Sequence, residues 1–376
     1  MGMIIKMPIP FYGIKKFYEE NAQEILEVVG RVYSGGMLFG EETMQLEKDL
    51  VELTGRKYAV TVGSCTDALF FALKSLGVGA GDEVIITSFS FIASVSPILR
   101  VRAVPVFVDI DPETCLMDIF DMGKKITPRT KAIIAVHLFG QTVDISSIEK
   151  IARKNNIKLI EDAAQGLGAK SGNRMAGSMG QASCLSFDPT KVISAFGSGG
   201  AVLTDDEAVY KKIIQLRYHG KGEGDDFVWE GYNSRLSASQ SALLSYQLRS
   251  HLDKRINRLR EIAGIYDKEI GKIAEINIPE SLPGNFHIYH KYVIQTSQRD
   301  TLKLYLKENG IDTMIHYTRP LFEYSLFKNR SYKAEKTLVC KNICNKVLSL
   351  PIYPELTNQQ IDYICNSIKK FYSKPC

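Results

Sequence analysis

The chain has 376 residues, of which 45% are hydrophobic and 24% are charged. This composition is close to the average for soluble globular proteins and excludes a disordered or collagen-like chain. The net charge of +5 comes from 47 basic and 42 acidic residues, an excess too small to indicate a nucleic-acid partner. No run of about 18 apolar residues occurs, so we expect neither a membrane-spanning helix nor a membrane partner.

The cysteines and the N-terminal segment predict a cytoplasmic protein. The seven cysteines are odd in number and widely spaced, which disfavours a disulfide framework. Cys340 and Cys344 have no third ligand nearby, so we expect buried thiols rather than a metal site. The first residues, MGMIIKMPIPF, contain neither the apolar stretch nor the small-residue cleavage site of a secretory signal.

Seven short and mostly continuous apolar runs predict strands that are buried on both faces of a mainly parallel sheet. The runs are YAVTV (58–62), EVIIT (83–87), VPVFV (104–108), AIIAV (132–136), IKLIE (157–161), SCLSF (183–187) and GAVLT (200–204). Helical patterns at 66–76 and 144–154 alternate with them, as is typical of an open α/β sheet with helices on both faces. Only residues 188–199, with Pro189, separate the last two runs, so we expect the last strand to pair antiparallel.

The pattern changes in the second half of the chain. A long helical pattern covers 236–274, and short strand patterns follow at 287–296 and 311–316. We therefore predict a large α/β domain with an N-terminal arm over residues 1–250. A smaller α+β domain is predicted over residues 251–376.

Three polar segments follow predicted strands, at the edge where open α/β sheets bind ligands. The segment GSCTDAL (63–69) leads into a helix start that suits a phosphate, although an ordinary capped helix explains it equally well. In LIEDAAQG (159–166), Asp162 either caps the next helix or pairs with a cation such as a protonated ring nitrogen. In SFDPTK (186–191), Lys191 is a candidate Schiff-base former if buried, whereas most loop lysines face solvent.

The order of the three segments predicts a site for pyridoxal 5'-phosphate (PLP). This cofactor needs an anion site for its phosphate, a carboxylate at its ring nitrogen and a lysine for its aldehyde. A P-loop nucleoside triphosphatase is disfavoured because Lys191 precedes the glycines of its loop. A dehydrogenase of the Rossmann type is disfavoured because no G-x-G-x-x-G follows the first strand.

With these motifs the sequence resembles the DegT/DnrJ/EryC1/StrS family of PLP-dependent sugar aminotransferases, which have the aspartate aminotransferase type I fold. The resemblance runs from FGEETMQLEKDL (39–50) to SLPIYPEL (349–356). It implies a seven-stranded, mostly parallel sheet and a homodimer whose active sites lie at the shared interface. The motifs that carry it are GSCTDAL, TSFSFIAS, VDIDPET, HLFGQ, EDAAQ, SFDPTK, GSGGAV, RYHG, YNSRL and IHYTRPL.

The resemblance also implies roles for single residues. Lys191 would hold the cofactor aldehyde and move the proton at the substrate carbon, while Asp162 would pair with the ring nitrogen. Gln165 would contact the ring hydroxyl, Phe91 would stack on the ring, and Asn233 would reach the phosphate of the neighbouring subunit. The implied phosphate contacts are Ser64, Cys65, Thr66 and Ser186.

The implied reaction moves an amino group from L-glutamate, which leaves as 2-oxoglutarate, to a nucleotide-linked keto sugar. A 4-keto-6-deoxyhexose is favoured because such sugars are common substrates of the family that the sequence resembles. The alternatives are a 3-keto sugar, an aminocyclitol precursor, or dehydration, which Lys191 disfavours because some dehydratase relatives have His there. A non-enzymatic regulatory or binding module is disfavoured because Asp162, Gln165 and Lys191 are all present.

The diphosphate of such a substrate needs cations at the mouth of the cleft. His316 and Tyr317 are expected to meet the sugar from the small domain, although a packed strand terminus explains them equally well. Cys65 in the phosphate turn and Asp188 after Ser-Phe depart from the family pattern and bear on sugar specificity. The candidate cations, for which an ordinary surface charge is the simpler interpretation, are Arg217, His219, Lys221, Arg235 and Arg319.

Overall fold

The computed structural model describes residues 8–36, 40–335 and 337–373. Residues 1–7 of the N-terminal segment, residue 39 of the first family motif and Cys376 lie outside this description. The strands, in chain order, are β1 (Tyr58–Val62), β2 (Glu83–Thr87), β3 (Val104–Val108), β4 (Thr130–Val136), β5 (Lys158–Asp162), β6 (Lys170–Ser171), β7 (Arg174–Met175), β8 (Ala182–Ser186), β9 (Gly200–Thr204), β10 (Asn285–Phe286), β11 (Tyr292–Gln295) and β12 (Val347–Leu350).

Seven of these strands form the central sheet, in the order β1-β9-β8-β5-β4-β2-β3. β2 is parallel to β3 and β4, and the parallel pairing continues from β4 to β5 and from β5 to β8. β9 is antiparallel to both of its neighbours, β1 and β8, as expected from the short connection that precedes it. The predicted seven-stranded, mostly parallel sheet is therefore confirmed.

Helices cover both faces of this sheet. Val60 and Val62 of β1 pack in one hydrophobic core, whereas Ala59, which precedes Val60, packs in a second core. Successive side chains of a strand point to opposite faces, so the two cores lie on opposite sides of the sheet. The helices are α1 (Ile14–Glu20), α2 (Ala22–Ser34), α3 (Glu41–Thr54), α4 (Cys65–Ser75), α5 (Ser96–Arg100), α6 (Ile119–Lys124), α7 (Ile145–Lys154), α8 (Glu207–Arg217), α9 (Ala238–Ser250), α10 (Leu252–Ile270), α11 (Arg299–Glu308), α12 (Leu338–Cys344) and α13 (Asn358–Tyr372).

The C-terminal part of the chain builds a smaller α+β region around the antiparallel pair of β11 and β12. The N-terminal arm joins it through two backbone hydrogen bonds. The Ile9 N–H donates to the Gly310 carbonyl at 2.8 Å, and the Ile9 carbonyl accepts from the Asp312 N–H at 3.0 Å. The division into domains 1–250 and 251–376 stays a prediction. Among the helices described, none is long and apolar enough to cross a membrane.

The continuous helix predicted over 236–274 is wrong. The structure has two helices there, α9 and α10, which meet at His251. The backbone of His251 has φ −125° and ψ −26°, outside the ordinary helical range. Neither Gly nor Pro marks this break, so the sequence pattern runs through it without a signal.

The strand predicted over 311–316 is also wrong. In the described residues, Ile311 and Met314 form only isolated bridges, to Ile9 and to Ser349 respectively. The two bridges join different partners, the N-terminal arm and β12, so no continuous ladder develops. The segment instead reaches the large sheet and delivers its last residues to the site described below.

A close backbone approach joins the two parts of the chain. Gly140, in the turn after β4, has φ +99°, and a Cβ there would lie 2.6 Å from the backbone nitrogen of His290. The Ile288 N–H donates to the Gly140 carbonyl at 2.9 Å. Only glycine satisfies both constraints, and the contact fixes the segment before β11 against the edge of the large sheet.

Gly140→Ala is expected to lower the free energy of unfolding by at least about 2 kcal/mol, through the positive φ and the clash with His290. Gly79→Ala is the matched control, because a Cβ at Gly79 meets nothing within 4 Å and its φ is not positive. Urea unfolding of both variants checks the prediction. Equal stabilities of the two variants would contradict it.

Candidate active site

A cavity of about 550 Å³ lies at the carboxyl edge of the central sheet, against the segments 290–291 and 314–317. The three polar segments singled out in the sequence meet here, because the carboxyl ends of neighbouring parallel strands share one edge. The predicted site residues that line this cavity are Ser64, Cys65, Thr66, Phe91, Asp162, Gln165, Ser186, Lys191, His316 and Tyr317. Their individual roles stay predictions.

The first wall of the cavity is the turn between β1 and α4. Ser64 caps α4, since its Oγ accepts a hydrogen bond from the Asp67 N–H at 3.1 Å. The N–H groups of Cys65 and Thr66 stand in the first turn, where a helix offers no internal acceptor. A Cβ on Gly200 would lie 2.6 Å from the Cys65 nitrogen, so glycine is needed for β9 to begin beside this turn. The arrangement suits a phosphate.

The side chain of Cys65 packs away from this turn, into the core of the large sheet. This side chain is buried in the apolar core that contains α4. Burial raises the pKa of the Cys65 thiol well above its usual value, so the group stays neutral. The core therefore accommodates this departure from the family pattern, while the backbone N–H of Cys65 remains at the turn.

The second wall carries Asp162, the last residue of β5, which is only 3% exposed. Its Oδ2 accepts a hydrogen bond from Ser94 Oγ at 2.6 Å, and its Oδ1 accepts from the Ala164 N–H at 3.2 Å. Burial raises the pKa of the Asp162 carboxyl, while these donors and the charge of Lys191 oppose the shift. A cationic partner at this carboxylate would relieve the cost of its burial.

Lys191 lies in the loop between β8 and β9, and its N–H donates to the Asp188 carbonyl at 2.9 Å. Burial of the amine lowers the pKa of Lys191, while the carboxylates of Asp188 and Asp162 partly oppose this. A lowered pKa raises the fraction of neutral amine near pH 7, which is the nucleophilic form. The loop therefore supplies the chemistry that a Schiff base requires.

The remaining predicted contacts close the cavity from the side of the small region. Gln165 is fixed at both ends, because its Nε2 donates to the Tyr317 hydroxyl at 3.1 Å and its Oε1 accepts from the Phe139 N–H at 2.9 Å. His316 Nδ1 lies 2.8 Å from Ser349 Oγ. Burial lowers the pKa of His316 to about 3, so its ring is neutral at pH 7. The half-exposed Phe91 ring lies at the mouth, 6.4 Å from the ring of Tyr317.

The groups that line this cavity match the three groups that PLP requires. The phosphate turn offers first-turn N–H groups, and Lys191 is an amine with a lowered pKa. Asp162 is a buried carboxylate whose hydrogen-bond donors, among the described residues, are neutral. One cavity of adequate volume contains all three groups. Because the three requirements are independent, their meeting is a stronger indication than any one of them.

Several predicted substrate contacts lie elsewhere in this chain. Arg217, Lys221 and Arg235 line a separate cavity of about 400 Å³. Arg217 Nη1 forms an ion pair with Glu47 at 2.6 Å and donates to the Thr61 carbonyl at 2.8 Å. Its charge is thus already neutralised within the fold. A role toward substrate for these three residues stays a prediction.

Three further predicted residues do not line the Lys191 cavity. The Arg319 guanidinium lies 5.4 Å from the ring centroid of Tyr324, which lines the Lys191 cavity. Asn233 is exposed and forms a backbone bridge with Tyr218 rather than lining that cavity. His219 has φ +57° and likewise lies outside it. The predicted roles of these three residues stay predictions.

Among the residues of this cavity that the sequence reasoning did not single out, three bear on its chemistry: Ser94, His290 and Lys291. Ser94, which holds Asp162, is part of the motif TSFSFIAS, but one serine in a short helical turn has no distinguishing pattern. His290 and Lys291 also line the cavity, although they lie in a segment expected only to form a strand of the small domain. Their position depends on the backbone contact at Gly140, which no local pattern encodes.

Residues 18–369 match the DegT/DnrJ/EryC1/StrS aminotransferase family, to which the chain therefore belongs. The chain is 37% identical to the "Pleiotropic regulatory protein" of Geobacillus stearothermophilus, over 97% of this chain and 99% of that protein. It is 36% identical to the UDP-N-acetyl-3-dehydro-alpha-D-glucosamine 3-aminotransferase of Acidithiobacillus ferrooxidans, over 96% and 97%. It is 35% identical to the dTDP-3-amino-3,6-dideoxy-alpha-D-galactopyranose transaminase of Aneurinibacillus thermoaerophilus, over 96% and 99%.

Solved structures of the family have the same fold. The structure of DesV from S. venezuelae superposes with a TM-score of 0.94 at 31% identity, covering 98% of this chain and 100% of that one. The structure of NtdA from Bacillus subtilis with its bound cofactor PMP has a TM-score of 0.90 at 27% identity, covering 98% and 86%. The predicted fold, enzyme class and cofactor are thereby confirmed: the chain is a PLP-dependent aminotransferase of the nucleotide-sugar family.

Ser94→Ala is expected to weaken PLP binding by about 10–100-fold, since it removes a hydrogen bond to the charged Asp162. Ser90→Ala is the matched control, because Ser90 Oγ contacts Ser94 Oγ at 2.9 Å and has no bond to the carboxylate. Titration of the apoprotein with PLP, followed by absorbance, measures both affinities. Wild-type affinity in Ser94→Ala would contradict the assignment of Asp162 to the ring nitrogen.

Proposed function

We propose that this protein transfers an amino group from L-glutamate to a nucleotide-linked keto sugar and releases 2-oxoglutarate and an amino sugar. The observation that carries the proposal is the single cavity in which Lys191, Asp162 and the phosphate turn meet. Both half-reactions would use this cavity in turn, so ping-pong kinetics are expected. The names of two sugar aminotransferase relatives support the choice of substrate class.

In the proposed mechanism PLP, when bound, supplies an electron sink for the carbon that loses its proton. Lys191 would take the cofactor aldehyde in the resting enzyme, and its Nζ would then accept the proton from the donor Cα. Asp162 would hold the proton at the ring nitrogen, with Ser94 fixing its carboxylate. Gln165, itself held by Tyr317, would fix the ring hydroxyl.

The phosphate would lie at the turn before α4. Ser64, Cys65 and Thr66 stand at that turn, and Ser186 ends the adjacent strand β8. Phe91 would cover the open face of the ring, since it is 56% exposed at the cavity mouth. These contacts orient the cofactor and keep water from one of its faces.

The amino group could be added at C3 or at C4 of the sugar. The sequence favoured a 4-keto-6-deoxyhexose and kept a 3-keto sugar as the alternative. The names of two relatives place the amino group at C3, which supports the 3-keto sugar as the first substrate to test. The 4-keto-6-deoxyhexose is kept as the second.

We also propose a cytoplasmic homodimer with shared active sites. Asn233 is exposed and away from its own chain's cavity, which suits a contact with the partner's phosphate. Three large apolar side chains on α2 and α3 are 60–69% exposed and suit a subunit interface: Leu26, Tyr33 and Met44. The site would lie between the proposed domains, 1–250 and 251–376.

The proposed activity is tested with UDP- and dTDP-linked 3-keto and 4-keto hexoses made in situ, each incubated with L-glutamate and the PLP-loaded protein. An amino sugar, identified by mass and NMR spectroscopy, is the expected product with at least one of them. Lys191→Ala is expected to lose at least about 100-fold in rate while keeping its fold. Wild-type turnover in this variant would contradict the role of Lys191.

Borohydride reduction of the loaded protein gives an independent readout. Peptide mapping is expected to find the cofactor on Lys191, while the second buried lysine of the cavity, Lys291, stays unlabelled. If the label were found on Lys291 instead, Lys291 would be the lysine that holds the cofactor and the role assigned to Lys191 would be wrong. A protein that binds no PLP would contradict the proposal and favour the regulatory or binding module.

Shared sites are tested by co-expressing Lys191→Ala and Asn233→Asp subunits, each of which is expected to be inactive alone. In a mixed dimer one site would combine the intact Lys191 of one subunit with the intact Asn233 of the other. Random pairing then restores about one quarter of the wild-type activity. No recovery in a verified mixed dimer would show that the sites are not shared.

A further inference from the structure

Two side chains in the Lys191 cavity lack a partner of the kind that their chemistry requires among the residues that the structure describes: Lys291 lacks an ion pair and His290 Nε2 lacks a hydrogen bond. His290 and Lys291 stand immediately before β11, where the close approach at Gly140 fixes their backbone against the large sheet. The Lys291 N–H donates to the Phe139 carbonyl at 3.2 Å. Both side chains are therefore held on a rigid backbone, and both line the cavity that contains Lys191.

Lys291 is a buried amine without a counter-ion. It is 6% exposed, and among the residues that the structure describes no carboxylate forms an ion pair with it. Its Nζ lies 5.4 Å from the ring centroid of Phe11 and 4.5 Å from that of Tyr12, both in the N-terminal arm. Aromatic faces offset part of the cost of burying a cation but do not replace an anion.

Asp188 does not supply the missing anion. Its Oδ1 accepts hydrogen bonds from the Thr190 N–H at 3.0 Å and from the Thr190 hydroxyl at 2.6 Å. Burial and the charge of Lys191 lower the pKa of Lys291 to about 7, while the charge of Asp188 opposes the shift. An anion that entered the cavity would stabilise the protonated form.

His290 provides the second, independent observation. It is 5% exposed, and its Nε2 is buried without a hydrogen-bond partner among the described residues. Burial and the neighbouring cation Lys291 lower the pKa of His290 well below its usual value, so the ring is neutral. A neutral ring with an unpartnered nitrogen beside an unpaired amine leaves room for one hydrogen-bonding anion.

We propose that Lys291 and His290 form a carboxylate subsite of the Lys191 cavity. The inference rests on the proposed function, because the amino-acid donor brings carboxylates into this cavity. One amine and one neutral imidazole match a single negative charge, whereas a diphosphate requires more cations. The cofactor phosphate already has its own turn at Ser64. A carboxylate on the sugar ring could bind Lys291 and His290 in the same way, so the test distinguishes a carboxylate of the amino-acid donor from one of the sugar.

The primary test is equilibrium binding of glutarate, an unreactive dicarboxylate, to the PLP-loaded protein by calorimetry. Lys291→Met is expected to weaken glutarate binding by about 10–100-fold, and Lys291→Arg by no more than about threefold. Lys307→Met, which removes an exposed lysine from α11 of the same region, is the control and leaves the affinity unchanged. Wild-type affinity in Lys291→Met would overturn the proposal.

Kinetics then identify the source of the carboxylate. If the donor occupies the subsite, Lys291→Met raises the KM for L-glutamate by a similar factor and leaves the KM for a neutral keto sugar unchanged. If the sugar occupies it, only the KM for a keto sugar with a C6 carboxylate rises. An equal loss with every substrate would indicate a merely structural role and overturn the proposal.

A stability measurement guards against misfolding. Replacing an unpaired buried cation by Met removes its desolvation cost, so the melting temperature of apo Lys291→Met is expected to rise. A fall in melting temperature would contradict the interpretation of Lys291 as unpaired, and the glutarate titration would then be repeated with Lys291→Gln.

Lys291-dependent glutarate binding without any amino transfer would refute the proposed function alone. Amino transfer with Lys291-independent glutarate binding would refute the subsite alone.

Discussion

The site depends on one buried charge, the carboxylate of Asp162 at the end of β5. A carboxylate that is 3% exposed is costly unless donors or a cation satisfy it. The Ser94 hydroxyl and the Ala164 N–H fix its position but bring no charge. The fold thus leaves a cationic partner to be supplied from within the cavity. A protonated pyridine nitrogen is such a partner, and this requirement links the sheet edge to PLP chemistry.

Two glycines determine the shape of the space around that charge. Gly200 allows β9 to begin against the turn that precedes α4, and Gly140 allows the segment before β11 to touch the large sheet. In both places a Cβ would lie about 2.6 Å from a backbone nitrogen. Close backbone contact on two sides places the phosphate turn and His290 without relying on flexible side chains. The cavity is therefore largely formed before any ligand enters.

The sequence predicted those features that depend on local patterns. Continuous apolar runs indicated the parallel sheet, and the short connection before GAVLT indicated its antiparallel strand. The polar segments around Asp162 and Lys191 were found because each directly follows a strand. The break at His251 was missed because no Gly or Pro marks it. Lys291 was missed because its burial depends on residues of the N-terminal arm and of the turn after β4, each more than 100 positions away.

The fold contains cations of two kinds: arginines that form ion pairs within it, and lysines that line the cavity. Arg217 is paired with Glu47, and Arg255 is paired with Glu355 at 2.6 Å, so the fold neutralises both. Lys191 and Lys291 instead share one cavity, and burial together with the charge of Lys191 lowers the pKa of Lys291. Asp162 gives the same cavity a negative end. With PLP paired to Asp162, Lys291 would be the cation left for the carboxylate of an entering amino acid, and the reversed orientation would leave that carboxylate without a cation. The arrangement of charges therefore favours one direction of entry before any chemistry begins.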